Sequence, residues 1–398
     1  MVRSIHGIAV AGFSSALVAA SAHAGFLGFT AGNILVQRMG DGSTTLGSSA
    51  SQITVQEYGA LSGALIQDFS FATTGSNQQT DSGSATSNGY LNVHNGFVAV
   101  SGYNSAAGTA SVASTNTKVG TVFNGDGSVA SRTLFPTGGA TGTPPSPFSG
   151  NNFRSMIATG ANTFYASGTA SGSPNTGGAW YYDGSSFTQV SSAAGGQPTN
   201  LRNVEIYNNQ LYASSSTGTF LGISAIGTGL PTATGSTANL VINMGAGASP
   251  FGFVMFDTNG DAVLDLAYIA DDRATAGGGL QKWTLSGGTW TQAWALLVNG
   301  SGALQASAGT GFAGLRGLTG TWDAVNGAQL FATTAAETSN NRLISILDNG
   351  TTPTLASTLA TAGSNYVFRG VDIYAVPAPG AVALLGLAGI AGRRRRAN

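Results

Sequence analysis

The chain has 398 residues, 60 of them glycine, and only 8% are charged, against roughly a quarter in an ordinary soluble domain. It carries no cysteine, which excludes disulfides, thiolate zinc sites, iron–sulfur clusters and cysteine nucleophiles. Hydrophobic residues make up 42%, with 19 Phe, 11 Tyr and 5 Trp, enough apolar surface to bury a core, so the chain is expected to fold.

In chain order, Arg3 precedes a mostly apolar stretch from Ile8 to Ala20, and Ala22-His23-Ala24 has the small-x-small form that a signal peptidase cleaves. Residues 1–24 read as a secretory signal peptide. Of the three histidines, His6 and His23 leave with it, so His94 alone remains and a two-histidine metal site is excluded.

From Gly25 the sequence turns Gly-, Thr- and Asn-rich, and strands are expected over Ile34–Gln37, Ile53–Tyr58 and Leu65–Phe69. A four-residue unit then recurs: an aromatic or Leu, often Arg, any residue, then an aliphatic. It stands as Phe153-Arg154-Ser155-Met156, Leu201-Arg202-Asn203-Val204, Leu315-Arg316-Gly317-Leu318 and Phe368-Arg369-Gly370-Val371, with weaker copies at Tyr90–Val93 and Phe251–Val254. The first five units are each followed by an Asn or Asn-Gly turn and a second strand: Phe97–Ser101, Phe164–Ser167, Leu211–Ser214, Leu266–Ala270 and Leu330–Thr333. Asn and Gly accept the positive φ of tight hairpins, and β-branched, aromatic and small residues suit strands. Second hairpins follow at Trp180–Phe187 and Leu280–Trp290. No helical periodicity interrupts residues 25–375.

Units of about fifty residues with about four strands predict an all-β chain folded as a β-propeller. About six four-stranded blades are expected, seven if the long region 104–150 hides another hairpin. The sixth unit has no second strand of its own, so the strand at Ile34–Gln37 is expected to close the last blade between the two ends.

Asp257-Thr258-Asn259-Gly260-Asp261-Ala262-Val263-Leu264-Asp265 places side-chain oxygens at positions 1, 3, 5 and 9, with the Val263 carbonyl at position 7, the spacing by which a short loop wraps calcium. It resembles the calcium loop of FG-GAP-type propeller blades. Ala262 and Tyr268 stand where an EF-hand has Gly and Glu, which excludes an EF-hand. A hairpin turn with solvated acids is the competing reading.

Arg154, Arg202, Arg316 and Arg369 share one place in the repeat. On innermost strands they would ring the central channel, where guanidinium groups bind carboxylate or sulfate bidentately; alternatively each bonds neighbouring carbonyls or an acid such as Glu205 or Asp372 and locks the blades. Sialidases use an Arg cluster on a propeller, but the Asp-box is absent, with Leu285 in place of its Asp. Asp271-Asp272 are the first candidates for the paired carboxylates of glycoside hydrolysis. No Gly-x-Ser-x-Gly elbow appears on a strand-to-helix turn, and His94 reads as a turn residue. Trp283, Trp290 and Trp294 alternate with polar residues and read either as exposed sugar-stacking rings or as packing between blades.

At the C-terminus, Val376-Pro377-Ala378-Pro379 precedes a short apolar helix over Gly380–Gly392 and then Arg393, Arg394, Arg395 and Arg396, a stop-transfer pattern. This tail resembles the PEP-CTERM sorting signal, with Ala378 in place of the usual Glu. The resemblance implies transient anchoring in the inner membrane by that helix, removal by an exosortase, and release to the cell surface or exopolysaccharide matrix. Asn33–Gly42, Leu280–Trp283 and Thr333–Leu343 further resemble an uncharacterised group of secreted bacterial proteins with the same ends. The domain reading is a signal peptide over 1–24, a propeller over 25–376 and a sorting tail over 377–398. Loss of Arg3 and the four terminal arginines leaves ten basic against sixteen acidic residues, a net charge of −6, which argues against a nucleic-acid partner.

The expected function is that of an exported, non-catalytic surface or matrix propeller, structural or carbohydrate-binding. Its partners are then the secretion machinery, the exosortase and an exopolysaccharide, with calcium as the one cofactor in view. The alternative is a propeller hydrolase or lyase acting on an acidic polysaccharide.

Overall fold

The computed structural model describes residues 27–191, 196–336 and 339–375. The signal-cleavage residues Ala22 and Ala24, the sorting motif at Val376, Pro377, Ala378 and Pro379, the C-terminal apolar helix and Arg393, Arg394, Arg395 and Arg396 lie outside these residues. Among the described residues the only helix is a 3-10 turn at Val112–Ser114, and no helix is long and apolar enough to cross a membrane.

The strands follow one another as antiparallel meanders. The first holds β1 (Ile34–Met39), β2 (Ala50–Tyr58) and β3 (Leu65–Ser70), and a short β4 (Thr80–Ser82) follows. The next is β5 (Leu91–His94), β6 (Phe97–Tyr103), β7 (Lys118–Phe123) and β8 (Val129–Leu134). Then come β9 (Phe153–Gly160), β10 (Thr163–Gly168), β11 (Gly178–Tyr182) and β12 (Phe187–Gln189), and β13 (Leu201–Tyr207), β14 (Gln210–Thr217), β15 (Phe220–Ile226) and β16 (Ala238–Asn243). After these stand β17 (Pro250–Phe256), β18 (Leu266–Asp271), β19 (Gly279–Ser286), β20 (Thr289–Val298) and β21 (Leu304–Gln305). The last are β22 (Leu315–Asp323), β23 (Gly327–Thr334), β24 (Arg342–Asp348), β25 (Ser357–Thr361) and the lone β26 (Val367–Ile373).

Four small sheets, β9–β12, β13–β16, β17–β21 and β22–β25, stand as blades of a β-propeller. The remaining strands do not form two further separate blades but one continuous nine-stranded sheet, which corrects the expected count of six or seven. The join is β4: Thr80–Ser82 pairs with Ala50–Gln52 on one side, and Thr80 pairs with Tyr103 on the other. The region 104–150 does contain a hairpin, β7–β8, but β7 pairs with β6 and so completes the meander begun by β5. The two ends meet as expected, with β1 hydrogen-bonded between β2 and β26.

The repeated four-residue unit falls on β5, β9, β13, β17, β22 and β26, and each of these strands packs against the next round a closed ring. Close approach is possible because the units carry small residues there: a Cβ at Gly317 would collide with the Arg369 carbonyl, and one at Gly370 with the Leu91 amide. Between consecutive sheets lie apolar clusters, such as Ile223 and Ile242 against Phe253, Met255 and Ile269. At about 1.5–3 kcal/mol per fully buried aliphatic or aromatic side chain, these clusters supply most of the driving force. Trp283 belongs to this last cluster and is buried, its indole N–H donating to Gln281; it is not an exposed stacking ring, because both faces of a blade strand are covered by neighbouring sheets.

Candidate functional site

The four repeat arginines sit at one recurrent irregularity. In β9, β13, β22 and β26 the strand register shifts at the Arg position, between Phe153 and Ser155, Leu201 and Val204, Leu315 and Leu318, and Phe368 and Val371. A bulge at this point re-aims the side chain out of the regular alternation. Two of the side chains reach the next ring strand, and two reach loops at the ends of other strands. Arg154 donates to the Leu201 carbonyl at 3.0 Å and to Asn200. Arg202 donates to the Pro250 carbonyl at 2.7 Å and to Ser249 at 3.0 Å. Arg316 donates to the Ala336 carbonyl and pairs with Asp272 at 3.4 Å. Arg369 reaches the same Ala336 carbonyl at 3.2 Å and that of Gly83 at 3.0 Å. The ring of the neighbouring unit, Phe251, carries the Arg202 guanidinium at 4.0 Å and that of Arg316 at 5.5 Å. All four thus hold the same place in the repeat: Arg154 and Arg202 tie consecutive ring strands, while Arg316 and Arg369 converge on the Ala336 carbonyl of the loop after β23. Burial, and then the charge of Arg202, hold Arg154 down to about 9.

Hydroxyls on the second strands complete this lock. Ser101 and Ser167 donate to the carbonyls of Arg154 and Arg202 at 3.2 and 2.7 Å. Thr333 donates to the Arg369 carbonyl at 2.7 Å and accepts from the Gly317 amide at 2.8 Å. Sequence reasoning saw these strands but gave no role to the Ser or Thr that ends each.

Further along the axis is a polar network that sequence reasoning also missed. The Asn92 amide donates to Ser155 Oγ, the Met156 carbonyl, Asn203 Oδ1 and the Val204 carbonyl at 2.9–3.2 Å, so one side chain joins β5, β9 and β13. Asn203 in turn donates to Glu205 at 2.8 Å. Asp372 accepts from Thr319 at 2.7 Å and from the Val93 amide at 2.6 Å. The acid seen to meet a repeat arginine is Asp272, at Arg316, while Glu205 and Asp372 accept from Asn203, Thr319 and the Val93 amide. Burial, and then the charge of Asp372, push Glu205 well above the usual carboxylate range, and burial pushes Asp372 up to about 6.

The other acids have structural partners. Asp271 is buried and held by Arg273 at 2.7 Å and the Ser249 amide at 3.0 Å, while Asp272 belongs to Arg316. His94 is half-buried at the end of β5, and burial lowers its pKa. In the 257–265 loop, Asp257 accepts from the amides of Gly260 and Ala262 at 2.7 and 2.8 Å. Asp261 accepts from Val263 at 2.8 Å, Asn259 accepts from the Asp261 amide at 2.9 Å, and Asp265 clasps Thr258 twice at 2.9 Å. These oxygens face the loop's own amides. Among the described residues no three His, Cys, Asp or Glu side chains gather as for a metal ion.

No protein-family model matches the chain, and no curated protein matches it. Among solved structures it is similar to a putative 6-phosphogluconolactonase from Bacteroides uniformis, at 11% identity and a TM-score of 0.40 over 84% of this chain and 83% of that one. It is also similar to a triple arginine-to-alanine mutant of AofleA from Arthrobotrys oligospora, at 10% identity and a TM-score of 0.45 over 85% and 93%. At these identities and scores neither transfers an activity to this chain.

Proposed function

We propose that the chain is an exported, non-catalytic propeller that acts at the cell surface or in the exopolysaccharide matrix as a structural or carbohydrate-binding protein. The observation that carries this reading is the state of the axis. Its arginines donate to backbone carbonyls of strands and loops, and its amides and hydroxyls bond one another across the ring. Residues 1–24 and the tail from Pro377 supply the route: secretion, a transient hold in the inner membrane, and release by an exosortase. Expressed in a bacterium that has an exosortase, the chain is then recovered outside the cell without its tail. Replacing Arg393–Arg396 by Ala leaves it unprocessed. An untouched tail on the wild-type chain overturns the route.

A second reading, a hydrolase or lyase on an acidic polysaccharide, draws on Glu205 and Asp372, two buried carboxylates near enough to perturb each other. Each already accepts hydrogen bonds from its neighbours, which favours the non-catalytic role.

A further inference from the structure

The motifs the axis does not absorb, the 257–265 loop and Trp290, meet elsewhere. Between the sheets β13–β16 and β17–β21 runs an open groove of about 600 Å³. Tyr212, Val241 and Met255 line it, as do Leu240 and Leu285, and Trp290 stands on the β19–β20 hairpin at its side. No charged side chain lines it. One wall is the stretch Ala262–Leu264 of the loop. Ala262 has a φ of 69°, which L-residues other than Asn and Asp rarely adopt. Asp257 grips the Ala262 amide and Asn208 of the facing sheet grips its carbonyl at 3.0 Å. The wall is therefore fixed across the groove rather than free, with Asp257 as one of its two anchors.

Within the groove, Tyr212 Oη, Trp290 Nε1 and the Asn239 side-chain amide have no hydrogen-bond partner among the described residues. They are donors and acceptors left beside aromatic faces. An apolar, ring-bearing cleft with a few placed polar groups and no charge suits a ligand with an apolar C–H face and a rim of hydroxyls. We propose that this groove is a binding site for a neutral saccharide, its ring stacked on Trp290 and its hydroxyls met by Tyr212 and Asn239. The proposal rests on the carbohydrate-binding reading above and gives it a place and a ligand class.

The test is titration of the purified chain with neutral hexose oligomers (maltohexaose, cellohexaose and mannohexaose), read by tryptophan fluorescence and calorimetry. An array of neutral and acidic glycans and a displayed peptide library run alongside. Expected is binding of at least one neutral glycan, weakened tenfold or more by Trp290→Ala and by Asn239→Ala. Asn239 is exposed, so its variant keeps the fold and serves if Trp290→Ala loses it. Neutral-glycan binding undiminished in both variants overturns the groove and leaves the carbohydrate-binding reading standing. Binding of acidic glycans alone, or of peptides alone through Trp290, also overturns the groove. No glycan bound at all overturns both.

Discussion

Replacing Asn92 by Ala removes one amide group whose two hydrogens serve four acceptors on β9 and β13. Asn92 is buried, at 2% exposure, so water does not replace what is lost. Ser155 Oγ and Asn203 keep each other, since Ser155 also donates to Asn203 at 2.8 Å. The Met156 and Val204 carbonyls lose a partner each. At about 1–3 kcal/mol for each buried group left under-bonded, less where the strand ladder still serves it, the loss comes to about 2–4 kcal/mol. For a domain of this size, at about 2 °C per kcal/mol, Tm falls by about 4–8 °C. Urea unfolding gives the free energy directly, with an unchanged slope if only the native state is affected. Asn92→Asp costs more, because it turns a donor into an acceptor facing two carbonyls. A Tm within about 1 °C of wild type for Asn92→Ala refutes the idea that this residue ties the three strands.

Gly370→Ala drives a methyl into the Leu91 amide of the neighbouring ring strand; a loss of about 1–3 kcal/mol or more is expected, and an unchanged urea midpoint contradicts the packing. Stability also depends on pH in a worked direction. Burial pushes Asp81 up to about 7 and Asp372 to about 6, while both ionise near 4 when unfolded. Between pH 4 and 7 the folded chain therefore binds more protons, and stability falls as pH rises. Burial pushes Lys118 down to about 7, so above pH 7 the unfolded chain binds more protons at this one site, which works against the fall that the raised Glu205 continues. A Tm that falls from pH 4 to 7 is expected, and a Tm that climbs over that range contradicts it. At the 257–265 loop, oxygens already bonded to amides predict a Tm unmoved by calcium or chelator; a shift of several degrees that Asp261→Ala abolishes restores the calcium loop.

The ring strands were legible because the repeat writes them out: an aromatic or Leu, then Arg, recurs where the bulge falls, and the turn residues that follow have no other easy use. Closure by the strand at Ile34–Gln37 was legible for a related reason, because the sixth unit has no second strand of its own. The nine-stranded sheet was not. Its joining strand, Thr80-Asp81-Ser82, is three polar residues without alternation, and only tertiary pairing makes it a strand. Between the two readings of Trp283 the structure favours packing between blades, because alternation with polar neighbours signals exposure only when one face of a sheet meets water. The loop acids allow both readings given them in the sequence, since an oxygen spaced to wrap a cation is equally spaced to cap turn amides. The groove was hidden because Tyr212 and Trp290 lie far apart in the chain and meet only across two sheets.

The most direct measurement incubates the purified chain with a panel of neutral and acidic polysaccharides and follows both retention of the protein and the length of the polymer. A non-catalytic propeller is retained by some of them and leaves every polymer at its original length. Shortening of an acidic polysaccharide, lost in Glu205→Gln and Asp372→Asn, contradicts it.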